Sequence, residues 1–204
     1  MRTITESYNV YKFEELTKEV QEKVIDRDRY YEVNEENFWS ECIIEYWQEK
    51  LENIGFINSK IYFSGFSSQG DGACFDATVD LQVISNIMFY NSTDYKEARL
   101  WRSINIAAYN DRIENPTIYT INHHYSHENT RRINSPDIYL QECFFVDDIE
   151  NAIVEHLESL RYRLCIEIYR ELEKEYDYLT SDDYVRSYYS ENQDIEFTQD
   201  GELY

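Results

Sequence analysis

The sequence predicts an α+β fold, with a central, mostly antiparallel sheet, N-terminal helices and a long C-terminal helix packed on the sheet. Near both ends, apolar residues recur at steps of three and four, which is typical of amphipathic helices. In the middle of the chain they alternate, which is typical of half-buried strands. A length of 204 residues suits one domain, 1–204, whose core needs neither disulfides nor metals.

Two helices are predicted before residue 55. Thr17 is suited to cap the first helix, because its side chain can accept a hydrogen bond from an unpaired backbone N–H. Asn34 is suited to cap the second, and Glu35 and Glu36 favour its first turn. Gly55 follows the second helix, where a left-handed C-cap belongs. The apolar stripe of this second helix consists of Trp39, Ile43, Trp47, Leu51 and Ile54.

The period then changes from helical to alternating. Residues 59–66 and 74–83 both alternate, and a glycine-rich loop separates them, so they are predicted to pair as a hairpin over 59–83. The second strand is expected to continue through Leu81 and Val83. A helix is predicted over 94–112, while 84–92 is ambiguous.

Further strands are predicted after Pro116. Residues 117–125 alternate and are rich in β-formers, and 131–133 and 137–144 are also predicted as strands. Pro136 is expected to end a strand or to mark an edge of the sheet.

The strongest helical pattern is a long acidic helix over about 146–178. Asp147 and Asp148 suit its first turn. A short last helix is predicted to begin at Ser181, and the tail, 194–204, is a candidate edge strand. The long helix carries the apolar series Val146, Ile149, Ile153, Leu157, Leu160, Leu164, Ile168 and Leu172.

The charge excludes several classes of partner. The chain carries 41 acidic and 19 basic residues, a net charge of −22, and residues 147–204 alone carry 17 and 5. Direct binding to nucleic acid or to an anionic membrane would work against this charge. A protein with a basic surface, or a small polar ligand, fits better. Tyrosine-rich surfaces would also permit a homodimer.

Further features predict a cytoplasmic protein. The N-terminus lacks the apolar stretch of a signal peptide, and no apolar run is long enough to span a membrane. The four cysteines are widely spaced and form no CxxC pair, which favours a reducing compartment.

The glycine-rich loop is the most informative segment. Three of the five glycines lie within residues 65–72. Successive backbone N–H groups in such a loop can form an anion-binding nest, and its side chains can bind a polar ligand. A wide turn that needs its glycines is the alternative. Neither GK[ST] nor GxGxxG is present. The candidate ligand-binding residues here are Ser68, Gln69, Gly70, Asp71 and Gly72.

A second polar segment, 122–130, holds three of the four histidines. On a strand, His123, Tyr125 and His127 would share one face, so two imidazoles could bind zinc if a third ligand came from elsewhere. HExxH is absent, and neither a metal site nor a cofactor is predicted. Polar residues at a strand end are the simpler interpretation.

A catalytic site is not predicted. Cys74 and His127 could be paired as nucleophile and base, but a reactive thiolate needs an electropositive surrounding, and this chain is acidic. Because no nucleophile, base and oxyanion set is recognisable, a binding protein is favoured over an enzyme.

Four segments resemble, in the same order, a family of uncharacterised bacteriophage proteins. They are the N-terminal Tyr11–Thr17, the motif F-S-G-F-S-S-Q-G-D-G-A-C-F over 63–75, the segment 125–130, and 196–201 with the pattern E-F-x-x-D-G. The resemblance implies a phage protein that acts inside the host. It also implies that the loop and the later segment form one site, with Gln69, Asp71, Tyr125, His127 and Glu128.

Two functions are therefore predicted. The first is an inhibitor of a host defence or nucleic-acid-handling protein, which binds through an acidic surface that imitates the charge of DNA. The second is a small-ligand module, sequestering or enzymatic, that uses the loop with Tyr125, His127 and Glu128. The acidic face of the first function would consist of Glu167, Glu171, Glu175 and Asp177.

Overall fold

The computed structural model describes residues 2, 7, 9–34, 38–122, 124–139 and 146–204. The predicted α+β fold is confirmed, because helices accompany a four-stranded antiparallel sheet and a long C-terminal helix packs on that sheet. The chain forms two compact units, Met1–Glu41 with Glu173–Tyr204, and Cys42–Leu172. We call them the terminal unit and the sheet unit; a single domain stays a prediction.

The terminal unit begins with a short 3₁₀ turn, Phe13–Glu15, and α1, Lys18–Asp28. Thr17 caps α1 as predicted, because its hydroxyl accepts a hydrogen bond from the N–H of Val20. The prediction for Asn34 as a cap is wrong, because Asn34 is itself helical: it belongs to α2, Tyr31–Asn34, and its N–H donates to the carbonyl of Tyr30. The next helix is described from Phe38. Glu35 and Glu36 lie outside the described residues.

The C-terminal segment completes the core of the terminal unit. Ser181 caps α7, Asp182–Glu191, as predicted, since its Oγ accepts from the N–H of Tyr184. The expected edge strand in the tail is reduced to isolated bridges of Phe197 with Tyr11 and with Leu203. The buried cluster of this unit consists of Phe13, Leu16, Val24, Ile25, Val185, Tyr189 and Phe197.

In the sheet unit, the four strands pair in chain order. The strands are β1, Phe56–Phe63; β2, Ala73–Val79; β3, Thr117–Thr120; and β4, Arg131–Ile133. Each pairs with the next in antiparallel fashion, so the predicted hairpin of the first two strands is confirmed. Before them lies α3, Phe38–Asn53, and Gly55 follows its end with a φ of 98°, the predicted positive-φ conformation.

The second predicted strand extended too far. Leu81 and Val83 belong to a helix, α4, Leu81–Asn91, and not to β2. Asp80 is the reason, because its carboxylate accepts hydrogen bonds from the N–H groups of Gln82 and Val83 and so caps the helix. The helix predicted over 94–112 is confirmed as α5, Tyr95–Tyr109. Its cap is Asp94, whose Oδ1 accepts from the N–H groups of Lys96 and Glu97.

Two other predicted strands are only partly matched by the described residues. Of the strand predicted over 117–125, β3 contains Thr117–Thr120, and the described residues 121, 122, 124 and 125 are not in a strand. In the predicted strand over 137–144, Ile138 forms an isolated bridge with Ile113, and residues 140–145 lie outside the described residues.

The long helix is confirmed as α6, Val146–Leu179. Within the sheet unit it buries Ile153, Leu157, Leu164, Ile168 and Leu172, which recur at helical spacing. Among the described residues, no helix combines the length and the apolar character needed to cross a bilayer.

Candidate functional site

The glycine-rich loop is closed by its own carboxylate. Oδ2 of Asp71 accepts hydrogen bonds from the N–H groups of Ser67 and Ser68, at 2.8 and 2.6 Å. The N–H of Asp71 in turn donates to the carbonyl of Ser68 at 3.0 Å. Three of the backbone donors that a nest could offer to an anion, those of Ser67, Ser68 and Asp71, are thus already engaged within the loop.

Two loop glycines lie against the polar segment around residue 127. A Cβ on Gly70 would lie 3.1 Å from Cδ1 of Tyr125. One on Gly72 would lie 2.5 Å from Cβ of His127 and 3.4 Å from Oε2 of Glu128. The structure therefore brings the two motifs together, as the resemblance implied. The glycines leave room for this approach, and binding of a ligand there stays a prediction.

The segment 125–128 is held by local bonds. Nδ1 of His127 accepts from the N–H of Asn129 at 3.1 Å, and Oε1 of Glu128 accepts from the side-chain amide of Asn129 at 3.1 Å. The rings of Tyr125 and His127 lie 6.2 Å apart between centroids. Nδ1 of His127 is thus already engaged. Gln69 and Ser68 remain exposed on the loop.

An aromatic stack anchors the other end of the loop. Phe66 stacks between Phe63 and Tyr169, with centroid distances of 6.0 and 5.4 Å. The hydroxyl of Tyr169 on α6 also donates to the carbonyl of Gly65 at 3.2 Å. The loop is therefore fixed to β1 and to α6 by ring contacts as well as by hydrogen bonds.

A buried arginine next to the 125–130 segment was missed from the sequence. Arg131 is only 5% exposed, and its guanidinium binds the carboxylate of Asp76 and the hydroxyl of Thr130. It also lies over the ring of Tyr62, 5.1 Å from the centroid. The available signal was alternation: Arg131 is two residues from Ile133, so both belong to the buried face of β4.

A second buried arginine ties α6 to the polar segment. Arg161 donates from Nε and Nη2 to Oε2 of Glu158, at 3.0 and 2.7 Å, and from Nη1 to the carbonyl of Glu128. Oε1 of Glu158 accepts from the N–H of Ile133 at 2.8 Å. The available signal was helical spacing: Arg161 lies four residues after Leu157 and three before Leu164, so all three belong to the buried face of α6.

The cysteines of the sheet core do not have the character of nucleophiles. Cys74 is fully buried, and burial raises the pKa of its thiol, an effect that a hydrogen bond with Thr130 only partly offsets. Burial likewise raises the pKa of Cys165 to about 12. Since the thiolate is the reactive form, this environment argues against a Cys74–His127 pair.

The four acidic residues of α6 have different surroundings. In the sheet unit, Oε2 of Glu171 accepts from the indole N–H of Trp47 at 2.7 Å, and Glu167 lies 4.0 Å from Nζ of Lys50. In the terminal unit, Glu175 and Asp177 are two residues apart, so helix geometry turns them about 160° away from each other.

A metal site is not indicated by the described part of the chain. Within those ranges, no three side chains of His, Cys, Asp or Glu lie together as possible ligands. His123, one of the two histidines considered for zinc, lies outside the described residues.

The fold and this site define a small α+β protein with a carboxylate-closed glycine loop packed on a His-Glu turn. The model of a family described as a domain of unknown function (DUF8835) matches residues 39–182, so the chain belongs to that family. The match contains both the loop and the segment it packs on. No curated protein and no solved structure matches the chain.

Proposed function

We propose that this chain is an accessory protein of bacteriophage that acts in the host cytoplasm by binding, and so inhibiting, a host protein with a basic surface. The single observation that carries the proposal is the excess of carboxylates. With 41 acidic and 19 basic residues, complete pairing would still leave 22 carboxylates without a cation in the chain. A defence or nucleic-acid-handling protein presents the complementary charge, because it binds DNA or RNA.

The composition of the surface supports a protein partner. Most of the large hydrophobic residues that are exposed are tyrosines, among them Tyr162 and Tyr178 on α6. Tyrosine is enriched at protein interfaces because it offers a large ring and a hydroxyl at a low entropic cost. The phage origin and the host location rest on the resemblance of the sequence motifs alone.

The geometry of the loop supports binding over catalysis. Asp71 is engaged by the loop backbone, and Cys74 is buried. Neither is presented to a substrate as a base or a nucleophile. We therefore place the function on the acidic surface, and the loop has a structural role in this proposal.

The test is charge-dependent association. A host protein is first captured from lysate at low salt and then purified, and its Kd is measured across a salt series. The test variant carries Glu167→Lys, Glu171→Gln, Glu175→Lys and Asp177→Lys; the glutamine keeps an oxygen that can accept from Trp47. We expect at least about tenfold weaker binding and a smaller salt dependence.

The matched control changes the same charge elsewhere. It carries Glu14→Lys, Glu52→Lys, Glu114→Lys and Asp137→Asn, all at exposed positions. The net charge changes from −22 to −15 in both variants, because each change to Lys raises it by two and each change to an amide raises it by one. An equal loss of affinity in both variants would mean that binding depends on the net charge of the protein and not on the position of these residues. Unchanged binding in the test variant contradicts the proposed acidic surface.

A second candidate function is a small polar ligand module. One observation favours it: the loop and the segment 125–128 are in contact, and both present polar side chains at the surface. Native mass spectrometry of the protein purified from host cells would show a copurified ligand as an added mass. Tyr125→Phe with Glu128→Gln should remove it, whereas Tyr119→Phe with Glu114→Gln should not. Absence of any added mass removes this candidate.

A further inference from the structure

The hairpin of α4 and α5, residues 81–110, differs in charge from the rest of the protein. It carries three basic and two acidic residues, a net of +1, in a chain of −22. Helix α4 has no charged residue at all. The two helices pack side by side, and the amide of Asn105 donates to the carbonyl of Gln82 at 2.9 Å and to Ser85 Oγ at 3.2 Å.

The same hairpin carries some of the most exposed large hydrophobic side chains of the described chain. Tyr95 is 78% exposed, Tyr90 76%, Tyr109 71% and Ile106 53%. The opposite face of α5 is buried through Trp101. Exposed apolar residues are ordinary when scattered, but here they are concentrated on one supersecondary element.

Helix geometry aligns these residues with two arginines. At 100° per residue, five exposed positions of α5 fall within an arc of about 80°. Glu97 is turned about 160° away from Tyr95, so no carboxylate of α5 lies on this arc. We call this set the α5 stripe; its members are Tyr95, Arg99, Arg102, Ile106 and Tyr109.

The two arginines are available to a partner. Among the described residues, neither Arg99 nor Arg102 forms an ion pair, although carboxylates outnumber cations two to one in this protein. A guanidinium offers a planar fork of donors that matches a carboxylate. Arginine and tyrosine are also the residues that most often dominate the free energy of binding at interfaces.

We infer that the α5 stripe is a docking surface for an acidic segment of a partner protein. Carboxylates of the segment would pair with Arg99 and Arg102, while its apolar side chains would cover Tyr95, Ile106 and Tyr109. The argument is charge complementarity on a surface whose composition is that of an interface. This surface is distinct from the acidic residues of the proposed function, and either proposal can fail without the other.

Two other occupants are less well matched. A second copy placed symmetrically on the stripe would bring arginines against arginines, which is unfavourable when they are desolvated. A nucleic acid strand carries a charge at every phosphate, so most of its charges would find no arginine here and would face a net charge of −22, whereas an acidic segment needs only two carboxylates. Both remain outcomes that the experiment distinguishes.

The experiment uses a random dodecapeptide library displayed on phage, panned at low salt against the full chain. Counter-selection uses Arg99→Glu/Arg102→Glu, and the control is Arg163→Glu/Arg170→Glu, two exposed arginines of α6. The net charge of both variants is −26 instead of −22, because each change from Arg to Glu lowers it by two. Circular dichroism establishes that each variant is folded.

We expect enriched peptides to be acidic and to carry aromatic or aliphatic residues. As synthetic peptides, they should bind the Arg99→Glu/Arg102→Glu variant at least about tenfold more weakly than they bind the wild type. They should bind the control variant as tightly as the wild type. Failure to enrich such peptides, or equal binding to both variants, would overturn the inference. So would stripe-dependent binding of an oligothymidylate, or a stripe-dependent dimer in sedimentation velocity, because the occupant would then be nucleic acid or a second copy.

Discussion

Gly72 is needed for space and not for an unusual backbone angle. The glycines with positive φ are Gly55 and Gly201, whereas a Cβ on Gly72 would lie 2.5 Å from Cβ and 2.9 Å from Cα of His127. Real Cβ atoms do not approach so closely, so a side chain here must displace the backbone of the segment around His127.

We therefore predict that Gly72→Ala lowers the free energy of unfolding by about 1–3 kcal/mol, as overpacking of a close contact does. Urea denaturation provides the measurement. Gly65→Ala is the control, because its nearest neighbour is a side-chain oxygen of Asp71 at 3.3 Å, and it should cost less than about 1 kcal/mol. Equal losses in both variants would show that the loop, and not the contact with His127, is sensitive.

Cys165 should make the protein less stable at alkaline pH. Burial raises the pKa of its thiol to about 12, whereas an unfolded chain has the ordinary value of about 8.5. Between these values the unfolded state has lost the proton and the folded state keeps it, so stability falls as pH rises. Below about pH 8.5 this contribution is constant.

The measurement compares wild type with Cys165→Ala by urea denaturation between about pH 8 and about pH 10.5. The wild type should lose up to about 1.4 kcal/mol more per pH unit than the variant above about pH 9. Parallel curves for the two proteins would contradict the assigned pKa. The comparison of slopes removes the constant cost of the substituted side chain.

At the scale of elements, an ion pair within helix α6 also bonds to the sheet, in addition to the apolar packing of the helix. Arg161 is 2% exposed, and Glu158 both pairs with it and accepts from the backbone of β4. Such a pair is weak evidence of net stabilisation. Removing one partner, however, leaves a charge in the interior without compensation.

Glu158→Ala is therefore predicted to lower the free energy of unfolding by about 3 kcal/mol. Glu155→Ala on the same helix is exposed and should change it by less than about 0.5 kcal/mol. Denaturant unfolding of the two variants and the wild type distinguishes these values. A small effect at Glu158 would mean that water reaches Arg161 and replaces its partner.

Helix α4 shows why an element can be mistaken from sequence. Leu81 and Val83 continue the alternation of β2, but so few residues also fit the spacing of a helix. The spacing of apolar residues alone therefore does not decide between a strand and a helix here. The deciding feature is Asp80, whose carboxylate caps the helix. The helix starts predicted at Thr17 and Ser181 agree with the structure, whereas the cap predicted at Asn34 does not.

At the scale of the whole molecule, the net charge of −22 should oppose folding through self-repulsion. Raising NaCl from about 10 mM to about 150 mM shortens the screening length from about 30 Å to about 8 Å. We predict that the midpoint of thermal unfolding rises over this range. The −15 control variant described above should show a smaller rise, and a flat or falling midpoint in the wild type would contradict the prediction.

Local signals in the sequence determined the starts of α1 and α7, the C-cap at Gly55, the first hairpin and the charge of the surface, because each depends on neighbours a few residues apart. The resemblance also anticipated that the loop and the segment 125–128 would meet. Only the tertiary structure decided how they meet: Asp71 closes its own loop, Gly72 makes room for His127, and two arginines are buried beside carboxylates. These contacts join residues up to 55 positions apart, such as Asp76 and Arg131, and local sequence patterns carry no information about such pairs.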